Sequence, residues 1–202
     1  MKKRWLSLTF AILAVLMVVG GTVLQARQQA LAGKLIRLHV VANSDSNYDQ
    51  AVKLQVRDAV LSETQRLLND ADNPKQALSD GLGEIEAAAS ERLRALGCEV
   101  PVRVTLGKEV FPTREYDTFT LPAGVYESLR VSIGAAEGHN WWCVVFPSIC
   151  LSASMDELEQ AAEAAGITEG ELRLITGESE GYVLKFKVLE LLQELKTVIF
   201  GE

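Results

Sequence analysis

Trp5 to Leu24 carries no charged side chain, and Met1-Lys2-Lys3-Arg4 ahead of it is a compact positive cluster. About twenty uncharged, mostly apolar residues are enough to cross a bilayer as a helix. A basic end followed by such a run is the layout of a secretory signal. Ala30-Leu31-Ala32 supplies an A-x-A cleavage pattern, and Leu24-Gln25-Ala26 a closer but poorer one. Segment 1–32 therefore reads as a signal peptide or as an uncleaved membrane anchor. Both readings carry the rest of the chain out of the cytoplasm and leave the basic end inside.

That topology changes what the charge means. Four of the 20 Lys+Arg (Lys2, Lys3, Arg4, Arg27) precede Ala32, which leaves 16 against all 27 Asp+Glu, a net of −11 on the exported part. Such a balance argues against nucleic acid and against anionic lipid as partners, because both attract a basic face. About 170 residues are enough for one domain with a real core. Three cysteines in an exported chain are an odd count. Cys143 and Cys150, on either side of a short loop, are the natural pair. The chain-entropy estimate for closing so short a loop is about 2–3 kcal/mol before strain. Cys98 follows a helix end at Gly97 and reads as a small buried hydrophobe.

The body reads as α+β: an antiparallel sheet packed with two N-terminal helices and with C-terminal helices. The first strand is expected over 34–42, with Ile36, Leu38 and Val40 on one face and Arg37 and His39 opposite, His39 solvated or hydrogen-bonded. A polar turn, 43–47, leads into a helix from about Tyr48 to Leu68, with Ser46 as its cap. A second helix opens at Asn73-Pro74 and runs to Gly97, weakened at Gly81 and Gly83. Strands follow over 100–106, 118–121, 125–133 and 141–146, close enough in sequence to favour an antiparallel meander. Pro147 ends the last one. Ser154-Met155-Asp156-Glu157 is a capping box. The helix it opens ends near Gly166. Residues 168–181 read as an acidic linker and 182–199 as an amphipathic helix. The division expected is 1–32 signal or anchor, 33–151 α+β domain, 152–202 helical extension.

No catalytic motif is present: no G-x-S-x-G, H-E-x-x-H, P-loop or G-x-G-x-x-G. His39 and His139 are the two histidines. One hydrolytic reading sets His39 as base against Asp45 or Asp49, with Ser44 or Ser46 as nucleophile. The bland reading keeps His39 as an ordinary strand residue. The 43–46 turn offers oxygen ligands but lacks the spacing and bidentate Glu of a calcium loop, so no metal and no cofactor are expected. Trp141 and Trp142 point to opposite sheet faces by strand periodicity. Both rings can be core, or one can be exposed as a binding anchor.

Three blocks of this sequence resemble the stage II sporulation protein R family of endospore-forming bacteria. They are 36–46 (I-R-L-H-V-V-A-N-S-D-S, continuing through Asp49-Gln50 and 53–60), then Phe111-Pro112-Thr113 with 121–131, and last 138–147 (G-H-N-W-W-C-V-V-F-P) with Cys150. Residues 185–190 look like the usual C-terminal block. His139 and Ser148 depart from the more usual lysine and proline.

The resemblance implies a sporulation signalling protein, not an enzyme. Such proteins are secreted from the forespore into the intermembrane space. There they activate a membrane-embedded aspartic protease of the mother cell, which processes pro-sigma-E. The partner-binding candidates are Asn43, Ser44, Asp45, Arg57, His139, Asn140 and Trp141. The alternative is a secreted cell-envelope hydrolase using His39 and Asp45.

Overall fold

The computed structural model describes residues 19–23, 25–149 and 154–176. Most of the apolar N-terminal run, Cys150 and the amphipathic 182–199 segment lie outside these residues. Among the described residues, no helix is long and apolar enough to cross a membrane.

The fold is α+β. Six strands form among the described residues: β1 (Ile36–Val41), β2 (Val102–Phe111), β3 (Arg114–Glu115), β4 (Thr120–Leu121), β5 (Gly124–Ile133) and β6 (Asn140–Phe146). Four of them make one sheet in the order β2-β5-β1-β6, and β3 pairs with β4 alone. The expected meander is corrected here. β5 and β6 do not pair with each other; β1 lies between them, parallel to β5 and antiparallel to β6. The reason is burial. All six residues of β1 are buried, so it is the strand that needs neighbours on both edges. A central strand covered on both faces is expected to read as a near-continuous apolar run. Arg37 and His39 hide that signal.

One face of the sheet is covered by helices α1 (Asn47–Leu68), α2 (Pro74–Asp80) and α3 (Leu82–Ala95). Leu38, Val40, Leu129, Val131, Cys143 and Val145 from the sheet meet Val52, Val56, Val60, Leu78, Ile85 and Leu93 from the helices in one cluster. Burying one such aliphatic side chain contributes about 1.5–3 kcal/mol. The helix starts follow the sequence closely. Ser46 accepts from the Asp49 backbone N–H at 3.1 Å, and Asn73 caps α2 with Pro74 just inside it. The expected single helix over 74–96 breaks at Gly81. A β-carbon there would run into Leu67 of α1, so glycine lets the two helices approach. Cys98 is buried and free, as its sequence context suggests.

The other face is covered differently. Leu31, Leu35, Phe111, Phe119, Leu121, Tyr126 and Val144 form a second cluster with Leu158 and Ala162 of α4 (Met155–Ala164) and Ile175 of α5 (Glu169–Thr176). The capping box at Ser154 and Glu157 is formed. The acidic linker expected from 168 onward is corrected as far as Thr176, because α5 occupies it. Thr168 and Glu171 cap each other at its start, with the Thr168 N–H donating to Glu171 Oε2 at 2.7 Å.

Candidate functional site

The turn after β1, the first turns of α1 and the entry to β6 meet at one end of the sheet. Asp45 Oδ1 accepts the His139 backbone N–H at 2.6 Å and also contacts His139 Nδ1. These contacts, the backbone one first, hold the Asp45 carboxyl below its usual range. Asn43 is used at both ends of its amide: Nδ2 donates to Asp49 Oδ2 at 2.9 Å, and Oδ1 accepts the Ala135 N–H at 2.9 Å. Ser44 Oγ donates to the same Asp49 oxygen at 2.5 Å. Hydrogen bonds from Ser44 and then Asn43 lower the Asp49 pKa. Lys53, itself buried, donates to the His139 carbonyl at 2.9 Å. One turn further along α1, the Arg57 guanidinium lies 4.3 Å over the Trp141 ring. Residues 49, 53 and 57 form one row on the helix, and 139 and 141 form the matching row on the strand.

The structure therefore brings all seven candidates into one neighbourhood, but not in one role. Asn43 and Ser44 are spent on internal hydrogen bonds that shape the turn. Asp45, His139 and Asn140 are the exposed members. Arg57 and Trp141 are half-buried against each other. A β-carbon on Gly138 would overlap the Ser44 carbonyl, so the loop can pass this close only with glycine.

The hydrolytic pairing of His39 with Asp45 does not form. His39 is buried, not solvated. Its Nδ1 meets Glu109 Oε1 at 2.8 Å and its Nε2 meets Asn140 Oδ1 at 2.8 Å. The Asp45 carboxylate serves His139, and the Ser44 hydroxyl serves Asp49. Among the described residues, both ring nitrogens of His39 are taken by Glu109 and Asn140, not by a hydroxyl.

What sequence reasoning missed is the network around His39. It crosses all four strands on the face opposite α1–α3. Glu109 of β2 accepts from Arg130 Nη1 at 2.6 Å and from Ser128 Oγ at 2.8 Å, both on β5. His39 of β1 stacks on Trp142 of β6, with ring centroids 3.8 Å apart. Burial pushes the Glu109 carboxyl up. The Ser128 hydrogen bond and the His39 and Arg130 contacts outweigh it, so the net shift is downward. The missed signal is period two: Thr105, Gly107, Glu109 and Phe111 share a face once β2 is allowed to run through Gly107.

A pH dependence follows. Asp49 and Glu109 titrate below their ordinary values of 3.8 and 4.5 in the folded chain. A lowered folded pKa gives stability that is complete above the unfolded value and is lost as pH falls through the folded one. The urea midpoint is expected to be level between about pH 7 and pH 5 and to drop below about pH 4.5. A midpoint that rises on acidification would contradict the network.

The stage II sporulation protein R family profile matches residues 32–156. Stage II sporulation protein R of Bacillus subtilis (strain 168) is 35% identical over 153 residues, covering 72% of this chain and 68% of that protein. No solved structure matches the chain. The matched span contains both sheet faces, the Asp45–His139 edge and the four-strand polar network, and on that match the chain belongs to the stage II sporulation protein R family of sporulation proteins.

Proposed function

We propose that the chain is secreted from the forespore into the intermembrane space. There, with 33–151 as its signalling domain, it activates by contact the membrane-embedded aspartic protease that processes pro-sigma-E. The observation that supports this reading best is the exposed edge of Asp45, His139 and Asn140. Asn43, Ser44, Asp49 and Lys53 fix it from behind. A surface ordered before contact loses little freedom on binding. Such a ligand shifts the protease only by binding its active state more tightly than its inactive one. Asp45 suits this role because its carboxylate is exposed and held in one orientation.

Asp45→Ala is the variant that tests it. Asp45→Ala leaves both apolar clusters, and with them secretion and the overall fold, in place but frees His139 from the Asp45 carboxylate, and conversion of pro-sigma-E is expected to slow by about tenfold, the equivalent of about 1.4 kcal/mol of binding. Wild-type conversion by Asp45→Ala would remove Asp45 from the contact surface.

We also propose that Cys143 and Cys150 are joined in the exported protein. The denatured exported chain is then expected to take up one alkyl group, on Cys98. Uptake on all three cysteines would exclude the bond.

A further inference from the structure

Arg37 sits at the start of β1 on the same face as His39 and is completely buried. Its Nη2 donates to the Tyr116 hydroxyl at 2.7 Å. Among the described residues, its Nε and Nη1 have no hydrogen-bond partner. No carboxylate faces it among the described residues. The guanidinium lies 4.2 Å over the Phe111 ring and 5.1 Å from that of Tyr126. Arg114, 5.7 Å over the Trp142 ring, brings a second positive charge to the same aromatic group, since Trp142 packs on Phe111 at 4.7 Å. On this face, among the described residues, the buried side-chain atoms left without partners are Arg37 Nε and Nη1 and the indole nitrogen of Trp142. All three are donors, and none is an acceptor.

Aromatic faces attract a guanidinium, but they do not satisfy its N–H groups. Buried donors are ordinarily paired, and a buried cation ordinarily has its counter-charge. A buried cluster rich in donors and in positive charge, and poor in acceptors, is the complement of an anion. The guanidinium fork matches the two oxygens of a carboxylate. Over it lies the β3–β4 hairpin, whose strands are two residues each and which supplies Tyr116. A segment with so few ladder bonds opens at small cost compared with the sheet beneath it.

We propose that the buried Arg37 guanidinium is a receptor for a carboxylate group, reached by displacement of Tyr116 and the β3–β4 hairpin. The site lies on the sheet face away from α1–α3, and it does not depend on the reading given for Asp45.

The full chain, labelled with nitrogen-15, tests this by titration with sodium acetate against sodium chloride at one pH. Acetate is expected to move the Arg37 Nε–H resonance saturably and to raise the melting temperature; chloride does neither. In Arg37→Lys, which keeps the charge and loses the fork, acetate is expected to bind about tenfold more weakly. In Arg37→Met the acetate-dependent rise disappears. Two further probes separate the sources. N-acetylalanine presents a chain-terminal carboxylate, and N-acetylglutamate amide presents a side-chain one; the tighter binder names the source. Absence of a saturable shift in the wild-type chain overturns the proposal, whether or not Arg37→Met folds. Inorganic phosphate binding as tightly as acetate also overturns it.

Discussion

Replacing Gly138 with alanine is expected to abolish processing of pro-sigma-E and to lower the unfolding free energy by about 2 kcal/mol. The reason is local. A β-carbon at 138 would overlap the Ser44 carbonyl and press on the Ala42 side chain. Neither the backbone of 44 nor the end of β1 can yield cheaply. The Gly138 N–H donates to the Ala42 carbonyl at 3.0 Å, and the Glu137 N–H to that of Asn43. The loop would have to lift, and His139 would go with it, breaking both of its contacts to Asp45 and the one from Lys53. The exposed edge is then lost while the two clusters on the sheet remain. Circular dichroism of Gly138→Ala should keep the wild-type spectrum at room temperature, with an earlier urea midpoint. Wild-type processing by this variant would show that the loop's position does not matter to the signal.

Glu109→Ala has the second large effect, on stability. Three donors converge on this carboxylate from β1 and β5: His39, Ser128 and Arg130. Removing one partner of a buried pair costs about 3–5 kcal/mol. The Glu109 and Arg130 side chains are 23% and 39% exposed, so solvent screens the Arg130 part of the loss. The expected cost is therefore nearer 2–3 kcal/mol, roughly the lower bound for a buried pair. Glu109→Gln keeps the shape and some of the hydrogen bonds, and should cost about half as much. Urea denaturation of the two variants, at a pH above the carboxylate range, reads both numbers. Equal midpoints for Ala, Gln and wild type would mean that the cross-strand network carries no stability.

Much of the helical layer is legible in the sequence because its signals are local. Ser46, Asn73-Pro74 and Ser154-Glu157 mark helix starts by chemistry that acts within one turn. Thr168 and Glu171 carry the same signature, yet the acidic composition around them reads as linker. The sheet is less legible. Parallel pairing of β1 with β5 joins residues about ninety apart, and no local pattern encodes that partnership. The alternation of β1 suggests one solvated face. Arg37 and His39 are instead buried because the hairpin and the second apolar cluster cover that face, which is a tertiary fact.

For the candidate surface, the 43–46 and 138–141 strings do converge. Their division into scaffold and exposed contact depends on hydrogen-bond partners that spacing does not reveal. Asn43 and Ser44 look as available as Asp45 in the sequence, and only the Asp49 carboxylate separates them.

The most direct measurement is conversion of pro-sigma-E in cells that make the membrane-embedded aspartic protease together with this chain, with and without residues 1–32. Signalling by contact from outside the cytoplasm predicts cleavage when the chain is exported, none when it is retained, and much slower cleavage with exported Asp45→Ala. Equal cleavage by the exported and the retained chain would contradict it.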